Sequence, residues 1–392
     1  MKKICILTAT RAEYGLLKPI IMGLSNCEDI DLRVVVTGAH LSPEFGLTYE
    51  EIVSDGIVID KKIEILLSAD TPSAISKSMG LAMIGFADYF SELTPDMLIV
   101  LGDRYETLAV ATVAMNQRIP IAHLYGGEAT EGLIDESIRH SITKMSFLHF
   151  TSTEEYRKRV IQLGENPLRV FNVGAIGIEN IKQNEFMSKQ ELSESLKFSL
   201  DRPYAVVTFH PVTLENHSSE SQISELLKAI SKYHEMNFIF TKGNSDANGR
   251  IINTMIDEYV RDKENCIAVT SLGIKRYLTA IKNCHMVIGN SSSGIIEVPS
   301  FKIPTVNIGD RQKGRIQAES IINCTPDYDS ILMALKKANN IEFRTKIKQV
   351  INPYEKENTT NSIVKKIEEF LLNDKIDIKK KFYDLDQSGD IK

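Results

Sequence analysis

Two clusters in this 392-residue chain have the residue types that acid–base chemistry needs. In Gly102-Asp103-Arg104 a charged pair follows directly on the apolar run Asp96–Leu101. Ionised groups at the end of a buried segment carry a desolvation cost that a ligand offsets, and Gly102 permits close backbone approach. The alternative is an internal Asp103–Arg104 ion pair. In His123-Leu-Tyr125-Gly-Gly-Glu128, followed by Asp135-Glu136-Ser-Ile-Arg139-His140, carboxyls and imidazoles gather in numbers sufficient for an acid and a base with separated pKa values. Taken singly, Asp135 reads equally as a helix cap, and Arg139 and His140 as surface residues. As a set they point to catalysis.

The other clusters have the make-up of anion-binding loops. Arg11, in Thr8-Ala-Thr-Arg-Ala-Glu-Tyr-Gly15, follows a strand and opens a helix, where it joins a helix N-terminus facing a phosphate or else merely caps the helix. In the second half, His210-Pro follows a strand, and Gly289-Asn-Ser291-Ser292-Ser-Gly294 offers backbone N–H groups and hydroxyls ahead of Glu297, which is placed to accept bonds from ribose hydroxyls. Gly309-Asp-Arg311-Gln-Lys-Gly-Arg315 adds two guanidinium groups. The bland reading of the Gly/Ser stretch is a turn with a helix cap; Glu297 and the arginines weigh against it. The chain has neither a G-x-G-x-x-G nor a P-loop lysine pattern, which disfavours a dinucleotide or ATP site. His149, His217, His234 and His285 lack metal spacing, and the five scattered cysteines read as buried free thiols. No metal and no cofactor are expected. His40, in Thr37-Gly-Ala-His40, follows the second strand and joins the candidates.

These loops need a scaffold that collects strand ends. Lys3–Thr8, Leu32–Thr37, Asp96–Leu101 and Ile119–Leu124 read as strands, alternating with helical runs Tyr14–Leu24, Thr71–Leu93, Tyr105–Asn116 and Ile134–Met145. The second half repeats the alternation from Tyr204–Phe209 to Ile303–Ile308. Strands that are apolar throughout and separated by helices imply parallel sheets covered on both faces. The expected fold is α/β, with two Rossmann-like doubly wound domains and a ligand in the cleft between them. The expected boundaries are an N-terminal domain, 1–180, with the acid–base clusters, a second domain, 181–357, with the anion-binding loops, and a C-terminal helix and tail, 358–392, packing back on the first. Two domains also suit the length.

A net charge of −6 disfavours a nucleic-acid surface while leaving room for a local cationic pocket. The start MKKICILTATRAEYG passes too soon into polar residues for a signal peptide, and no apolar run approaches a membrane span, so a cytoplasmic protein is expected.

The stretches TRAEYG, VTGAHLSPEFG, LGDRYE, DESIRHSITKMS, TSTEEYRKRVIQLGE, FHPVTL, IGNSSSGIIEVPS and NIGDRQKGR, in this order, resemble the hydrolysing UDP-N-acetylglucosamine 2-epimerases of sialic acid synthesis, from Lys3 to about Tyr354. The resemblance implies the fold of two-domain nucleotide-sugar (GT-B) glycosyltransferases, a UDP-sugar substrate and a homodimer or homotetramer. It places Arg11, His210, Ser291 and Ser292 at the UDP phosphates and Glu297 at the ribose. Asp103 and Asp135 match acidic residues of the chemistry, joined as candidates by Glu128 and His210. His40, Arg104, His123, Tyr125, His140 and Arg311 fall on the sugar side. The implied reaction eliminates UDP to give a 2-acetamidoglucal, which is then hydrated to N-acetylmannosamine. One departure stands out: relatives often carry Glu in His-x-Glu-Gly-Gly, and this chain has Tyr125. Either Glu128 assumes more of the role, or the substrate is the UDP-2,4-diacetamido-2,4,6-trideoxyhexose of legionaminic acid synthesis, with Ala129–Gly132 reading the C4 and C6 substituents. A non-hydrolysing epimerase, a glycosyltransferase and a non-catalytic UDP-sugar sensor remain further alternatives.

Overall fold

A computed structural model describes residues 1–69, 71–212, 214–215, 218–243, 249–373 and 377–385; His217 lies outside them. The chain divides into two compact units. The first comprises Met1–Glu128, Asp135–Asn180 and the described residues from Lys356 onward, and the second Ala129–Ile134 and Ile181–Glu355.

In the first unit, strands β1 (Lys2–Thr8), β2 (Ile30–Thr37), β3 (Ile59–Ile63), β4 (Met97–Leu101), β5 (Ile121–Leu124), β6 (Leu148–Thr151) and β7 (Val170–Asn172) form a parallel sheet of order β3-β2-β1-β4-β5-β6-β7. Successive side chains point to opposite faces, so Ile4, Ile6, Val34, Val36, Met97 and Ile99 join one core cluster and Cys5, Leu7, Val35, Leu98 and Val100 the other. This two-sided burial is why the strands read as continuous apolar runs. Edge strand β3 (IDKKI) escapes that reading because an edge tolerates exposed lysines. Helix Thr359–Glu368 packs Ile363, Val364 and Ile367 into the first cluster, and Gly23 of helix Arg11–Ser25 gives Val364 room.

The second unit repeats the plan with β8 (Tyr204–Thr208), β9 (Asn237–Thr241), β10 (Cys266–Val269), β11 (Met286–Gly289), β12 (Thr305–Ile308) and β13 (Ile321–Cys324), in the parallel order β10-β9-β8-β11-β12-β13. In both sheets the winding direction reverses once, between β1 and β4 and between β8 and β11. Chains leave such neighbouring strands toward opposite faces, which opens a crevice beyond their carboxyl ends. The loops flanking these two points carry Arg11 and Asp103-Arg104 in one unit, and His210 and Ser291-Ser292 in the other. No helix among the described residues is long and apolar enough to cross a membrane.

Candidate active site

At the β1 end, Thr10 caps helix Arg11–Ser25 in a reciprocal box with Glu13. Glu13 Oε2 accepts from the Ala9 and Thr10 amides at 2.8 and 3.3 Å. The carboxyl is buried, and burial, opposed by the Arg104 charge and reinforced by Glu106, pushes its pKa from an ordinary 4.5 up to about 7. A raised folded pKa favours the protonated acid, so the stability it contributes is complete below pH 4.5 and lost as pH rises through 7. The melting temperature is therefore expected to fall between pH 5 and 8, by an amount equivalent to at most ~3 kcal/mol, and less in Glu13→Gln. Parallel melting curves of the two proteins would refute this.

His40 is fully buried, with Nε2 at 2.9 Å from Thr8 Oγ1 and Nδ1 at 2.8 Å from Thr48 Oγ1. Burial, with the Arg11 charge adding to it, lowers its pKa to about 3, so it is neutral at pH 7. Its ring thus ties the end of β1 to Thr48, ahead of helix Tyr49–Ser54.

At the β4 end, Gly102 takes φ +77 and releases Asp103 and Arg104 from the sheet. Asp103 Oδ2 accepts from Arg139 Nε at 2.8 Å and also from the terminal Nη2. Arg139, 1% exposed, donates its Nη1 to Glu136 Oε2 at 2.7 Å and to the Glu128 carbonyl at 2.8 Å. His140 Nε2 lies 3.2 Å from Glu136 Oε1, and its Nδ1 is buried without a partner among the described residues. Asp135 is half-buried at the first position of the helix Asp135–Met145 that carries these groups. A carboxylate fixed by a buried guanidinium, which Glu136 braces from its other edge, stands near a half-exposed imidazole, and such groups can take part in proton transfer.

The neighbours of this group have mixed fates. Arg104 donates to the fully buried Glu106 at 3.2 and 3.3 Å. Glu128 is buried and accepts from Ser152 Oγ at 2.9 Å. His123 is fully buried, with Nε2 on the Gly102 carbonyl at 2.8 Å and Nδ1 on Thr143 Oγ1 at 3.2 Å. Burial lowers its pKa to about 3. It thus supports the residue before Asp103 as a neutral ring. Tyr125 takes φ +67, packs its ring on the core and accepts the Gly177 amide at 3.4 Å.

In the second unit the turn after β11 is built on Asn290. Its Oδ1 accepts the His210 amide at 2.7 Å and its Nδ2 donates to the His210 carbonyl at 2.8 Å. Its own carbonyl accepts from Arg311 Nη1 at 3.1 Å and Gln312 Nε2 at 2.9 Å. Ser291 caps the short helix Ser292–Ile296 from an extended backbone and has no side-chain cap bond, and the half-buried Glu297 follows. His210, Ser291 and Arg311, which the sequence reading grouped in the second half, are thus joined through one asparagine. The Ala129–Ile134 loop also belongs to this unit: the Glu131 amide donates to the Lys313 carbonyl at 3.0 Å, and the Leu214 amide to that of Gly132 at 3.3 Å.

Sequence reasoning passed over Glu13, Glu106 and Asn290 as chemistry. A T-x-x-E capping box signals Glu13; nothing local distinguishes Glu106, since a lone Glu in a helix normally faces water.

A family model described as UDP-N-acetylglucosamine 2-epimerase matches residues 23–368. The GDP/UDP-N,N'-diacetylbacillosamine 2-epimerase (hydrolyzing) of Campylobacter jejuni is 46% identical over 344 residues, spanning 88% of this chain and 89% of its own length. The polysialic acid biosynthesis protein P7 of Escherichia coli is 42% identical over 387 residues, 98% of each chain. Among solved structures, the UDP-GlcNAc 2-epimerase of Neisseria meningitidis bound to UDP-GlcNAc superposes with a TM-score of 0.78 over 94% of this chain and 99% of its own, at 18% identity, a likeness of fold.

Proposed function

The chain belongs to the UDP-N-acetylglucosamine 2-epimerase family, and from that premise we propose that it is a hydrolysing 2-epimerase converting UDP-N-acetylglucosamine and water into N-acetylmannosamine and UDP, a supply step for sialic acid synthesis. The observation that carries the reading is Asp103, held at the β4 end by the buried Arg139 beside Glu136 and His140. One carboxylate takes the C2 proton as the C1–O bond to UDP breaks, leaving a 2-acetamidoglucal. Water then adds its hydroxyl at C1, and C2 regains a proton from the opposite face. Inversion needs two groups, and Asp103 and Asp135 come from different loops for the two roles, with Glu128 in support. The departing diphosphate needs charge stabilisation, which Arg11, His210, Ser291 and Ser292 supply, with Glu297 on the ribose. Arg104, His140 and Arg311 complete the sugar side, while His40, His123 and Tyr125 act from behind by holding loops.

A second reading has the same chemistry on a UDP-2,4-diacetamido-2,4,6-trideoxyhexose. It is favoured by the 46% identity to the diacetylbacillosamine enzyme. Proton NMR in deuterated water with each sugar nucleotide tests both. Free N-acetylmannosamine deuterated at C2, with one UDP per sugar, supports the first. Turnover of the diacetamido substrate alone moves the assignment to the second, and no UDP from either overturns the epimerase reading.

A further inference from the structure

In the C-terminal segment, Lys380 reaches the same helix that carries the candidate catalytic group. Lys380 Nζ donates to the Lys144 carbonyl at 2.9 Å and the Ser146 carbonyl at 2.6 Å, and pairs with Glu165 at 2.6 Å. Those carbonyls belong to the C-terminal end of helix Asp135–Met145, where backbone oxygens lack helical partners and a cation is favoured. Glu165, 3% exposed, also accepts from Lys144 Nζ at 2.6 Å and lies 3.1 Å from His149 Nε2. Burial alone would raise its pKa, but these partners hold it down at about 2, so the anion that anchors Lys380 persists across the working pH range.

The tail's approach is fixed as well. The Tyr383 amide donates to the Gly164 carbonyl at 2.9 Å, and Tyr383 and Leu385 pack on Val160, Ile161 and Val170. Phe382 lies so close over Gly164 that a Cβ there would come within 2.2 Å of its ring. Lys144 Nζ sits 5.1 Å from the centre of the same ring. The helix is 11 residues long, a rigid rod of about 16 Å, with Asp135, Glu136, Arg139 and His140 toward its other end.

We propose that Lys380 is a positioning residue for the reaction: it clamps the C-terminal end of helix Asp135–Met145 and thereby sets where Asp135 and Arg139, and through Arg139 the Asp103 carboxylate, stand. This rests on the epimerase reading above. Misplacement of reacting groups by about 1 Å costs roughly 100-fold in rate. Lys380→Met keeps the aliphatic stem and removes the clamp; Lys380→Arg keeps a charged multiple donor.

The experiment is steady-state UDP release by wild type, Lys380→Met and Lys380→Arg, with melting curves and hydrogen exchange of the amides of Ile142–Met145. The expected result is a 10- to 100-fold loss of kcat in Lys380→Met at a KM within threefold of wild type. Arginine should recover most of the rate, and the helix-end amides should exchange at least tenfold faster in the methionine variant only. A Lys380→Met protein with kcat within twofold of wild type, or an arginine variant as impaired as the methionine one, would overturn the proposal. If wild type itself releases no UDP, the function reading fails instead. The exchange arm then decides, and unchanged protection in Lys380→Met overturns the clamp.

Discussion

Asp103→Asn is expected to lower kcat by about 100- to 10,000-fold, the range that a positioned acid–base group contributes, while leaving UDP affinity close to wild type. The substitution keeps shape and one acceptor oxygen but removes the charge that answers Arg139, a guanidinium 1% exposed. Removing one partner of a buried pair usually costs 3–5 kcal/mol. Here Glu136 remains on the other side of the guanidinium, and the Asp103 side chain is 22% exposed, so a loss of roughly 1–2 kcal/mol is the better expectation. Glu136→Gln is the control, because it withdraws a charge from the same guanidinium at the opposite edge. Similar melting losses with a far larger kcat effect at Asp103 would separate its chemistry from its role in holding Arg139. An Asp103→Asn enzyme within tenfold of wild-type kcat would sink the acid–base assignment, as UDP-release kinetics and calorimetric UDP titration would show.

How much of this was legible in the sequence depended on whether a residue's role was local. Most strands of both sheets were, because strands such as Met97–Leu101, buried on two faces, leave uninterrupted apolar runs; β3, β6, β7 and β13, short or interrupted by polar residues, leave none and were passed over. Charged clusters directly after such runs were legible too, since helix and strand periods fix where a strand must end. Strand order was not: the reversals at β1/β4 and β8/β11 arise from which strands pair, and no periodicity records that. Buried charge was equally hidden. Arg139 reads as a surface residue on an amphipathic helix until Asp103, 36 positions away, is seen to neutralise it. His40 and His123 show the same limit: each was singled out as a polar residue at a strand end, and the neighbours that take up both ring nitrogens are supplied only by folding. The Ala129–Ile134 loop, flanked on both sides by residues of the first unit, is claimed by the second through backbone bonds and a Glu131–Lys313 ion pair at 3.2 Å, whose partners lie too far along the chain for any local pattern to record.

Gly289→Ala is expected to be the most damaging single-methyl addition in the second unit. Gly289 ends β11 at φ +131, and a Cβ built there would lie 1.8 Å from the Thr208 carbonyl oxygen of the paired strand β8. A backbone oxygen within a sheet cannot swing aside as a side-chain tip does. Either β8 and β11 part, or the peptide after residue 289 rotates. Both movements act on Asn290, whose amide donates to that same Thr208 oxygen at 3.1 Å and whose side chain holds both backbone groups of His210. The expected cost is about 3 kcal/mol of stability. UDP affinity should fall at least 100-fold, because His210, Ser291 and Arg311 are all set by this residue or its neighbour. Gly273→Ala separates the two contributions to that loss: Gly273 also has a positive φ, +66, but open space where the methyl would go, so it should cost only about 1 kcal/mol. Melting curves and UDP titration of both variants decide the matter. Equal losses would mean that backbone strain, and not the close approach of β11 to β8, fixes glycine at 289. Wild-type UDP affinity in Gly289→Ala would detach the Asn290 web from nucleotide binding altogether.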